Sequence, residues 1–388
     1  MSVSLWRRSR EPERVVGDVC VVGGGICGLS AALELERRGL RAVLVEADEI
    51  GAGASGRNAG YLIRGAADNY AQACRKYGRD RAGQLWRWTE ENLRALRDEG
   101  VGDLPGFELR PSCLIALAGE EEEHLQESAA LLGEDGFETK LLGADDGPDD
   151  ALWQSGKVRA GLVNPGDAVC SPIELVRLLR SKLESTRVIT GQEAHSIGGA
   201  DGGALVRCSD VDVQCERVFV ALNAYAPSLV PGLSGVVKAR RGQMLAARPL
   251  GSGARLDMAY YANHGSEYFR SGPDGTIVFG GARTYFVDTE VGCAPDVTPE
   301  LQAKLEAFMR ELITERYEVI ARWAGTMGFS PDGLPLVGPV SVDEVEDGRV
   351  WFCGGFTGHG MSMAFTTARA GVEEMLGGKP TPFPIDRA

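Results

Sequence analysis

The N-terminal region of the chain reads as a buried strand, a glycine-rich turn, a helix and a second strand, in that order. The turn has the spacing G-x-G-x-x-G at Gly23, Gly25 and Gly28, and the second strand ends at Glu46. Gly23 permits a tight turn, Gly25 lets the backbone approach a diphosphate, and Gly28 lets the helix pack close to the sheet. The N-terminus of the helix then offers N–H groups and a positive dipole end to the diphosphate. This arrangement predicts a dinucleotide-binding βαβ unit.

The acidic residue at the end of the second strand restricts the dinucleotide. Glu46 is placed to accept hydrogen bonds from a ribose hydroxyl, whereas a 2′-phosphate favours a basic residue nearby. The motif therefore argues against NADP and leaves FAD and NAD open.

Composition excludes several classes of protein. A chain of 388 residues with 44% hydrophobic residues can bury a large core and suggests two or more domains. No apolar run approaches the roughly 20 residues of a membrane span, and the charged start lacks the apolar region of a secretory signal. Nine scattered cysteines indicate reduced thiols in the cytoplasm, and no His/Cys cluster has metal-ligand spacing. A net charge of −14 argues against nucleic-acid partners and anionic membrane surfaces.

The remaining pattern mixes helices and strands. It predicts helices over about 69–99, 120–132, 172–183, 298–313 and 361–376, and strands over about 108–117, 217–223, 242–248, 268–270, 276–279 and 350–353.

Four further motifs follow the turn in a fixed order. They are Ser55-Gly-Arg-Asn-Ala-Gly60, Val220-Ala-Leu-Asn-Ala-Tyr-Ala-Pro227, Trp323-Ala-Gly followed by Ser330-Pro-Asp-Gly-Leu-Pro335, and Gly354-Gly-Phe-Thr-Gly-His-Gly-Met361. With the turn, they resemble the D-amino-acid-oxidase-like superfamily of FAD enzymes, nearest to its γ-glutamylputrescine oxidase, glycine oxidase and sarcosine oxidase branches. Leu5-Trp6 resembles the N-terminal arm of the first branch, although a disordered tail is an equal alternative.

The resemblance implies a mixed α/β fold in which a Rossmann-type FAD-binding domain is interleaved with a β-sheet-based substrate domain. The expected boundaries are 1–14 for the arm, 15–83, 157–224 and 322–380 for the FAD-binding domain, and 84–156 and 225–321 for the substrate domain.

The same resemblance implies a set of FAD-binding residues that are distributed over all five motifs. They are Gly23, Gly25, Ile26, Cys27, Gly28, Glu46, Ala47, Ser55, Gly56, Arg57, Asn58, Ala59, Gly60, Ala194, Ala221, Asn223, Tyr225, Trp323, Gly325, Asp332, Gly355, Thr357, Gly358, His359, Gly360 and Met361. The last helix would direct its positive end at the flavin edge that becomes anionic on reduction. His359 is either a donor to the flavin or a structural histidine.

The implied reaction is oxidation of the C–N bond of an amine or amino acid by hydride transfer to flavin N5, which gives an imine that hydrolyses. Tyr268 and Arg270, which share a face of one strand, together with Arg283 are the expected catalytic-site residues, with His359 as a fourth. His264 and Arg322 are further candidates for the substrate anchor. Two alternatives stay open: a flavin dehydrogenase of a 2-hydroxy acid, and a flavoprotein subunit that passes electrons to a partner.

Two departures from the sarcosine oxidase branch bear on the chemistry. The segment Trp323–Met327 lacks the cysteine that carries FAD covalently there, so FAD is expected to be noncovalent. The strand that contains Val278 lacks the lysine that assists the reaction with oxygen there. The electron acceptor is therefore either oxygen or another molecule.

Overall fold

The computed structural model describes residues 11–251, 254–272 and 274–387. The expected arm at Leu5-Trp6 lies outside these residues. Among the described residues, no helix is both long and apolar enough to cross a membrane.

Strands and helices are both distributed over the described residues. The strands are β1 (Glu13–Val16), β2 (Val19–Val22), β3 (Ala42–Val45), β4 (Tyr61–Leu62), β5 (Glu108–Leu109), β6 (Ser112–Ala116), β7 (Lys140–Gly143), β8 (Ala160–Asn164), β9 (Ala168–Val169), β10 (Arg187–Ile189), β11 (Ser196–Ala200), β12 (Gly203–Arg207), β13 (Val211–Cys215), β14 (Arg217–Val220), β15 (Lys238–Pro249), β16 (Ala259–Ala262), β17 (Glu267–Ser271), β18 (Ile277–Gly281), β19 (Tyr317–Phe329), β20 (Leu336–Pro339) and β21 (Val350–Gly354). The helices are α1 (Ile26–Arg37), α2 (Tyr70–Tyr77), α3 (Arg79–Asp98), α4 (Gly119–Glu134), α5 (Ala151–Gln154), α6 (Pro172–Ser181), α7 (Ala226–Leu229), α8 (Pro299–Leu312) and α9 (Gly360–Met375).

A six-stranded sheet carries the dinucleotide turn. Its order is β10-β3-β2-β14-β21-β20, and all neighbours are parallel except the last pair. The strands β2 and β3 are apolar and buried along their whole length, as expected for parallel strands covered on both faces. Helices α1 and α9 pack together beside this sheet. The mixed α/β fold with a Rossmann-type unit is therefore confirmed.

An eight-stranded sheet forms the second large layer. Its order is β19-β15-β18-β17-β16-β6-β8-β7, with antiparallel neighbours except for the parallel pair of β16 and β6. Because side chains alternate along a strand, Phe269 and Phe279 pack with Leu301 and Leu305 of α8 on one face. The neighbouring Tyr268 lies on the opposite face, which borders the main cavity. Smaller sheets, β1-β13-β12-β11 and β4-β9-β5, complete the fold.

The structure differs from the sequence expectations at several points. The helix expected over 69–99 is interrupted at Gly78, whose φ of 85° is left-handed. Residues 322–329, for which the sequence pattern predicts no strand, belong to the long strand β19. Strands β8 and β19 are both members of the eight-stranded sheet, although the expected boundaries place β8 and most of β19 in the FAD-binding domain. Residues 13–14, expected in the arm, belong to β1, which pairs with β13.

Candidate active site

A single cavity of about 1110 Å³ runs from the dinucleotide turn to the inner face of the eight-stranded sheet. Its lining includes most of the motif residues at one end and three tyrosines at the other. The space therefore joins the expected cofactor site to the expected substrate site.

The dinucleotide turn has the geometry that its sequence predicts. Gly23 has a φ of 111°, which a side chain would strain. A Cβ on Gly28 would lie 1.8 Å from the Gly23 carbonyl oxygen, so helix and turn approach too closely for any other residue. Glu46 accepts the N–H groups of Gly24 at 2.6 Å and Asp48 at 3.0 Å, which fixes the carboxylate beside the turn.

The backbone of Gly23–Gly25 and the start of α1 form a concave surface, which we call the cradle. The N–H groups of the first helical turn have no acceptor within the helix, and the side chain of Ser55 accepts one of them, from Ile26, at 3.0 Å. Gly23, Gly24 and Gly25 all line the cavity in front of this turn. Donors and open space together fit the diphosphate of a dinucleotide.

Most of the expected cofactor residues line the cavity. These are Gly23, Gly25, Ile26, Cys27, Glu46, Ala47, Ser55, Arg57, Asn58, Ala59, Ala194, Ala221, Asn223, Tyr225, Gly325, Thr357, Gly358, His359, Gly360 and Met361.

The other expected cofactor residues do not line the cavity; they are Gly28, Gly56, Gly60, Trp323, Asp332 and Gly355. Trp323 Nε1 donates to the Arg57 carbonyl at 2.9 Å, and Asp332 forms an ion pair with Arg387 at 2.9 Å. A Cβ on Gly60 would lie 1.9 Å from the Cys170 carbonyl oxygen. These positions shape the cavity without bordering it.

The last motif, Gly354–Met361, leads into the N-terminus of α9. Thr357 and Gly358 have φ values of 48° and 88°, and His359 stands immediately before the first helical residue, Gly360. The His359 Nδ1 atom lies 3.2 Å from the Thr357 carbonyl oxygen, which holds the ring. Burial lowers the pKa of His359, so its imidazole is neutral at pH 7.

Three tyrosines form an aromatic cluster at the other end of the cavity. The ring centroids of Tyr61, Tyr261 and Tyr268 lie between 5.1 and 6.3 Å apart. Burial raises the pKa of Tyr268 to about 12 and the pKa values of the other two as well, so all three phenols are neutral at pH 7.

Arg283 borders the cavity beside this cluster. Its guanidinium lies 4.7 Å from the centroid of the Phe329 ring, and no side-chain hydrogen bond joins it to another described residue. The side chain is half-buried, and its positive charge partly opposes the rise that burial causes in the pKa of Tyr268. Arg283 is thus a cation directed at the cavity and available to a ligand.

The structure corrects the placement of Arg270. Its side chain is buried behind the cavity wall and donates to the carbonyls of Ala59 at 2.7 Å, Cys170 at 3.2 Å and Ser271 at 3.3 Å. Tyr268 and Arg270 stand two residues apart on β17 and so share a face, but the Arg270 guanidinium binds the loop at residues 59–60 and does not line the cavity.

The two further anchor candidates also differ in their placement. Arg322 lies outside the cavity and pairs with Glu306 at 2.6 Å and Gln302 at 2.8 Å. His264 lines the cavity at the tip of the β16–β17 hairpin, where its backbone N–H donates to Glu121 at 3.1 Å.

Sequence reasoning did not find several lining residues. Tyr61, Tyr261, Leu114 and Leu162 belong to no motif, and only the pairing of distant strands brings them together. The alternation of apolar residues in their strands was the available signal, and it does not tell which face borders a cavity.

Comparisons with known proteins agree with this geometry. The model of the FAD dependent oxidoreductase family, DAO, matches residues 18–374, so the chain belongs to this family.

Two curated relatives match nearly the whole chain. Gamma-glutamylputrescine oxidoreductase from Escherichia coli is 25% identical over 96% of this chain and 86% of the relative. Glycine oxidase from Pseudomonas aeruginosa is 26% identical over 95% of this chain and 96% of the relative. The crystal structure of L-proline dehydrogenase from P. horikoshii has a TM-score of 0.78 at 19% identity and covers 97% of this chain and 96% of that one.

The residues present fit FAD, the cofactor of the family. The cradle at Gly23–Gly25 offers donors to a diphosphate, Glu46 is fixed beside it, and the cavity continues far enough to take a second ring system. The first residues of α9, Gly360 and Met361, also line the cavity. The cradle and the tyrosine cluster therefore border one and the same cavity.

Proposed function

We propose that this protein oxidises the C–N bond of an amine or amino acid with noncovalently bound FAD. Two relatives carry names that refer to an amine and to an amino acid, which supports this class of substrate. The reaction takes place between the dinucleotide cradle and the tyrosine cluster. In this proposal the FAD-binding domain is built on the six-stranded sheet, and the substrate domain is built on the eight-stranded sheet.

The observation that carries the proposal is the unpaired guanidinium of Arg283 at the substrate end of the same cavity as the cradle. A half-buried cation without an acceptor among the described residues suits a carboxylate, because a charge-assisted hydrogen bond would replace the lost contact with water. Tyr268, as a neutral phenol beside it, supplies a further donor. Together they would hold the carboxylate of an amino acid.

FAD, when bound, accepts a hydride from the carbon next to the nitrogen, which leaves an imine that water hydrolyses. The chain's own residues then position the substrate and limit the charge around it. The three neutral phenols add no negative charge at the substrate end, so they do not favour the ammonium form over the uncharged amine that must react. Arg283 orients the substrate and takes no part in bond changes.

The electron acceptor is part of the same proposal. Oxygen and a different acceptor are both compatible with the substrate site. The strand that contains Val278 lacks the lysine that assists the reaction with oxygen in the sarcosine oxidase branch, so this proposal includes both acceptors. We propose a cytoplasmic enzyme, which the free thiols of all nine cysteines support.

Anaerobic flavin reduction with a panel of amines, amino acids and 2-hydroxy acids tests the function. We expect bleaching by an amine or amino acid and none by a 2-hydroxy acid. In Arg283→Met the apparent affinity for a carboxylate-bearing amine should fall by about 1.5–3 kcal/mol, while the limiting rate changes less.

Arg322→Met serves as the matched control, because Arg322 pairs with Glu306 outside the cavity. An equal loss of affinity in both variants would contradict the role of Arg283. If only 2-hydroxy acids bleach the flavin, the protein is a flavin dehydrogenase of a 2-hydroxy acid and the proposed amine reaction is wrong. No bleaching by any donor until a partner protein is added would favour the flavoprotein subunit.

A further inference from the structure

A row of side chains crosses the inner face of the eight-stranded sheet. Direct cross-strand pairing joins Met244 to Gly280, Gly280 to Tyr268, Tyr268 to Tyr261, Tyr261 to Leu114 and Leu114 to Leu162. Residues directly opposite each other point to the same face of a sheet. Except for Gly280, every member of this row lines the cavity.

The row begins at the cofactor end of the cavity and leads away from it. Met244 pairs with Trp323, which supports Arg57 in the expected flavin loop. Because neighbouring strands lie about 4.8 Å apart, the three steps from Tyr268 to Leu162 span roughly 14 Å. A small amino acid held at Arg283 and Tyr268 would therefore leave the far part of the row unoccupied.

The far part of the row borders a mainly apolar part of the cavity, which we call the distal chamber. Leu114 and Leu162 form its floor, and Tyr70, Trp86 and Leu132 of helices α2, α3 and α4 line it as well. All but Leu114 are buried. Such walls favour methylene groups over water.

One edge of the distal chamber is polar. Ser112 and Asn164 are paired two residues along the same strands from Leu114 and Leu162, so they share the inner face. Asn164 accepts from Arg64 Nη2 at 2.7 Å and donates to Ser112 at 3.3 Å, which occupies one of its two amide hydrogens. Arg64 is 93% buried and also lines the cavity.

The charges at this edge are already balanced. Arg64 forms an ion pair with Glu90 at 3.0 Å, and its backbone N–H donates to the buried carboxyl group of Asp167 at 2.8 Å. Asp167 also accepts from the Ser112 hydroxyl at 2.5 Å. A further carboxylate would meet the Glu90 carboxylate and the partly ionised carboxyl group of Asp167, whereas an uncharged oxygen acceptor would meet the Asn164 amide without such repulsion.

From this geometry we infer that the distal chamber binds an extended arm of the amine substrate, mainly methylene groups that end in an uncharged hydrogen-bond acceptor such as an amide. The inference rests on the proposed function and deepens it. The reacting amine stays beside Tyr268, the arm follows Tyr261, Leu114 and Leu162, and its terminal oxygen reaches Asn164.

The test uses the FAD-loaded protein and a set of matched probes. Two head groups are tried first, a simple primary amine and an N-substituted glycine, and the one that bleaches the flavin anaerobically is used. This head group then carries a methyl, n-hexyl, carbamoylpentyl or carboxypentyl arm. We expect the hexyl arm to improve apparent affinity at least roughly tenfold over methyl, carbamoylpentyl to match or exceed hexyl, and carboxypentyl to be weakest of the three long arms.

Leu162→Trp fills the distal chamber and should abolish the affinity advantage of the long arms over the methyl arm. The control is Leu141→Trp, because Leu141 is the cross-strand neighbour of Leu162 but is 40% exposed and outside the cavity. In Asn164→Leu the apparent affinity for the carbamoylpentyl arm should fall below that for the hexyl arm. If Leu162→Trp does not retain FAD, Leu162→Phe is used on the same terms.

Equal affinity for methyl and hexyl arms, or equal effects of the two Trp variants, would overturn the inference. A preference for carboxypentyl would overturn the uncharged acceptor. If no head group bleaches the flavin, the proposed function fails. Perturbation of the flavin absorbance by the same probes, compared between Leu162→Trp and wild type, then still decides whether the distal chamber takes the arm.

Discussion

The three glycines of the dinucleotide turn have different physical roles. A Cβ on Gly28 would meet the Gly23 carbonyl oxygen at 1.8 Å, and backbone cannot move aside without a shift of the helix. A Cβ on Gly25 would meet only the hydroxyl of Ser55, at 2.7 Å, and a serine side chain can rotate away. Gly28 is therefore required for the packing of the helix against the turn, and Gly25 is required to leave space for the diphosphate of the cofactor.

Gly25→Val should consequently separate cofactor binding from folding. We expect the purified variant to lose bound FAD, because the new side chain occupies the space of the diphosphate, while its circular dichroism stays close to wild type. The ratio of flavin to protein absorbance measures the loss. Gly102→Val is the control, since a Cβ there meets nothing within 4 Å. Full flavin occupancy in Gly25→Val would show that the turn is not the cofactor site.

Asp167 gives the protein a pH-dependent stability. Burial raises the pKa of its carboxyl group to about 7, from an ordinary value of 3.8. Between these values the folded state holds a proton that the unfolded state has released, so stability falls as the pH rises from about 4 to about 7. Above that window both states are ionised and the loss is complete.

Asp167→Asn should remove this dependence. Relative to wild type, the free energy of unfolding of the variant should increase by about 2 to 3 kcal/mol between about pH 5 and about pH 8. Urea unfolding at both pH values measures the difference, with Asp274→Asn, an exposed carboxyl group whose pKa is lowered, as control. A difference that does not change with pH would contradict the raised pKa.

At the scale of elements, local signals were sufficient for some parts of the fold and insufficient for others. The βαβ start depends on residues that are close along the chain, and the structure has its strands, turn and helix where the sequence predicts them. The long strand β19 was not predicted, because Gly325 and Gly328 interrupt its pattern and its register is set by pairing with β15.

The same distinction explains the substrate end of the site. Arg270 was expected to anchor substrate, but its direction depends on how β17 lies against the loop at residues 59–60. The neighbours of Tyr268 depend on the pairing of β17 with β16 and β18, and on the pairing of β16 with β6, which lies far away in the sequence. A single sequence predicts the chemical types of these side chains but not which of them share a face of one sheet.

At the scale of the whole molecule, the cofactor should be held without a covalent bond. Gly325 lines the cavity in the segment where a covalent cysteine would stand, and Cys27, which also lines it, is buried with its thiol directed at the Cys353 carbonyl. Acid or heat treatment should therefore release all of the flavin into the supernatant, where chromatography identifies intact FAD. Flavin fluorescence in the washed protein pellet would contradict this prediction.

The order of the strands in the six-stranded sheet determines when this cofactor can first bind during synthesis. Strand β2 is made early and β21 more than 300 residues later, although only β14 separates them in the sheet. The wall of the cavity at the start of α9 is made only after residue 360 has been added. Until then the growing chain exposes parallel strand edges that later segments must cover. Flavin thus cannot guide the early steps of folding, and it can stabilise the protein only after α9 has been synthesised.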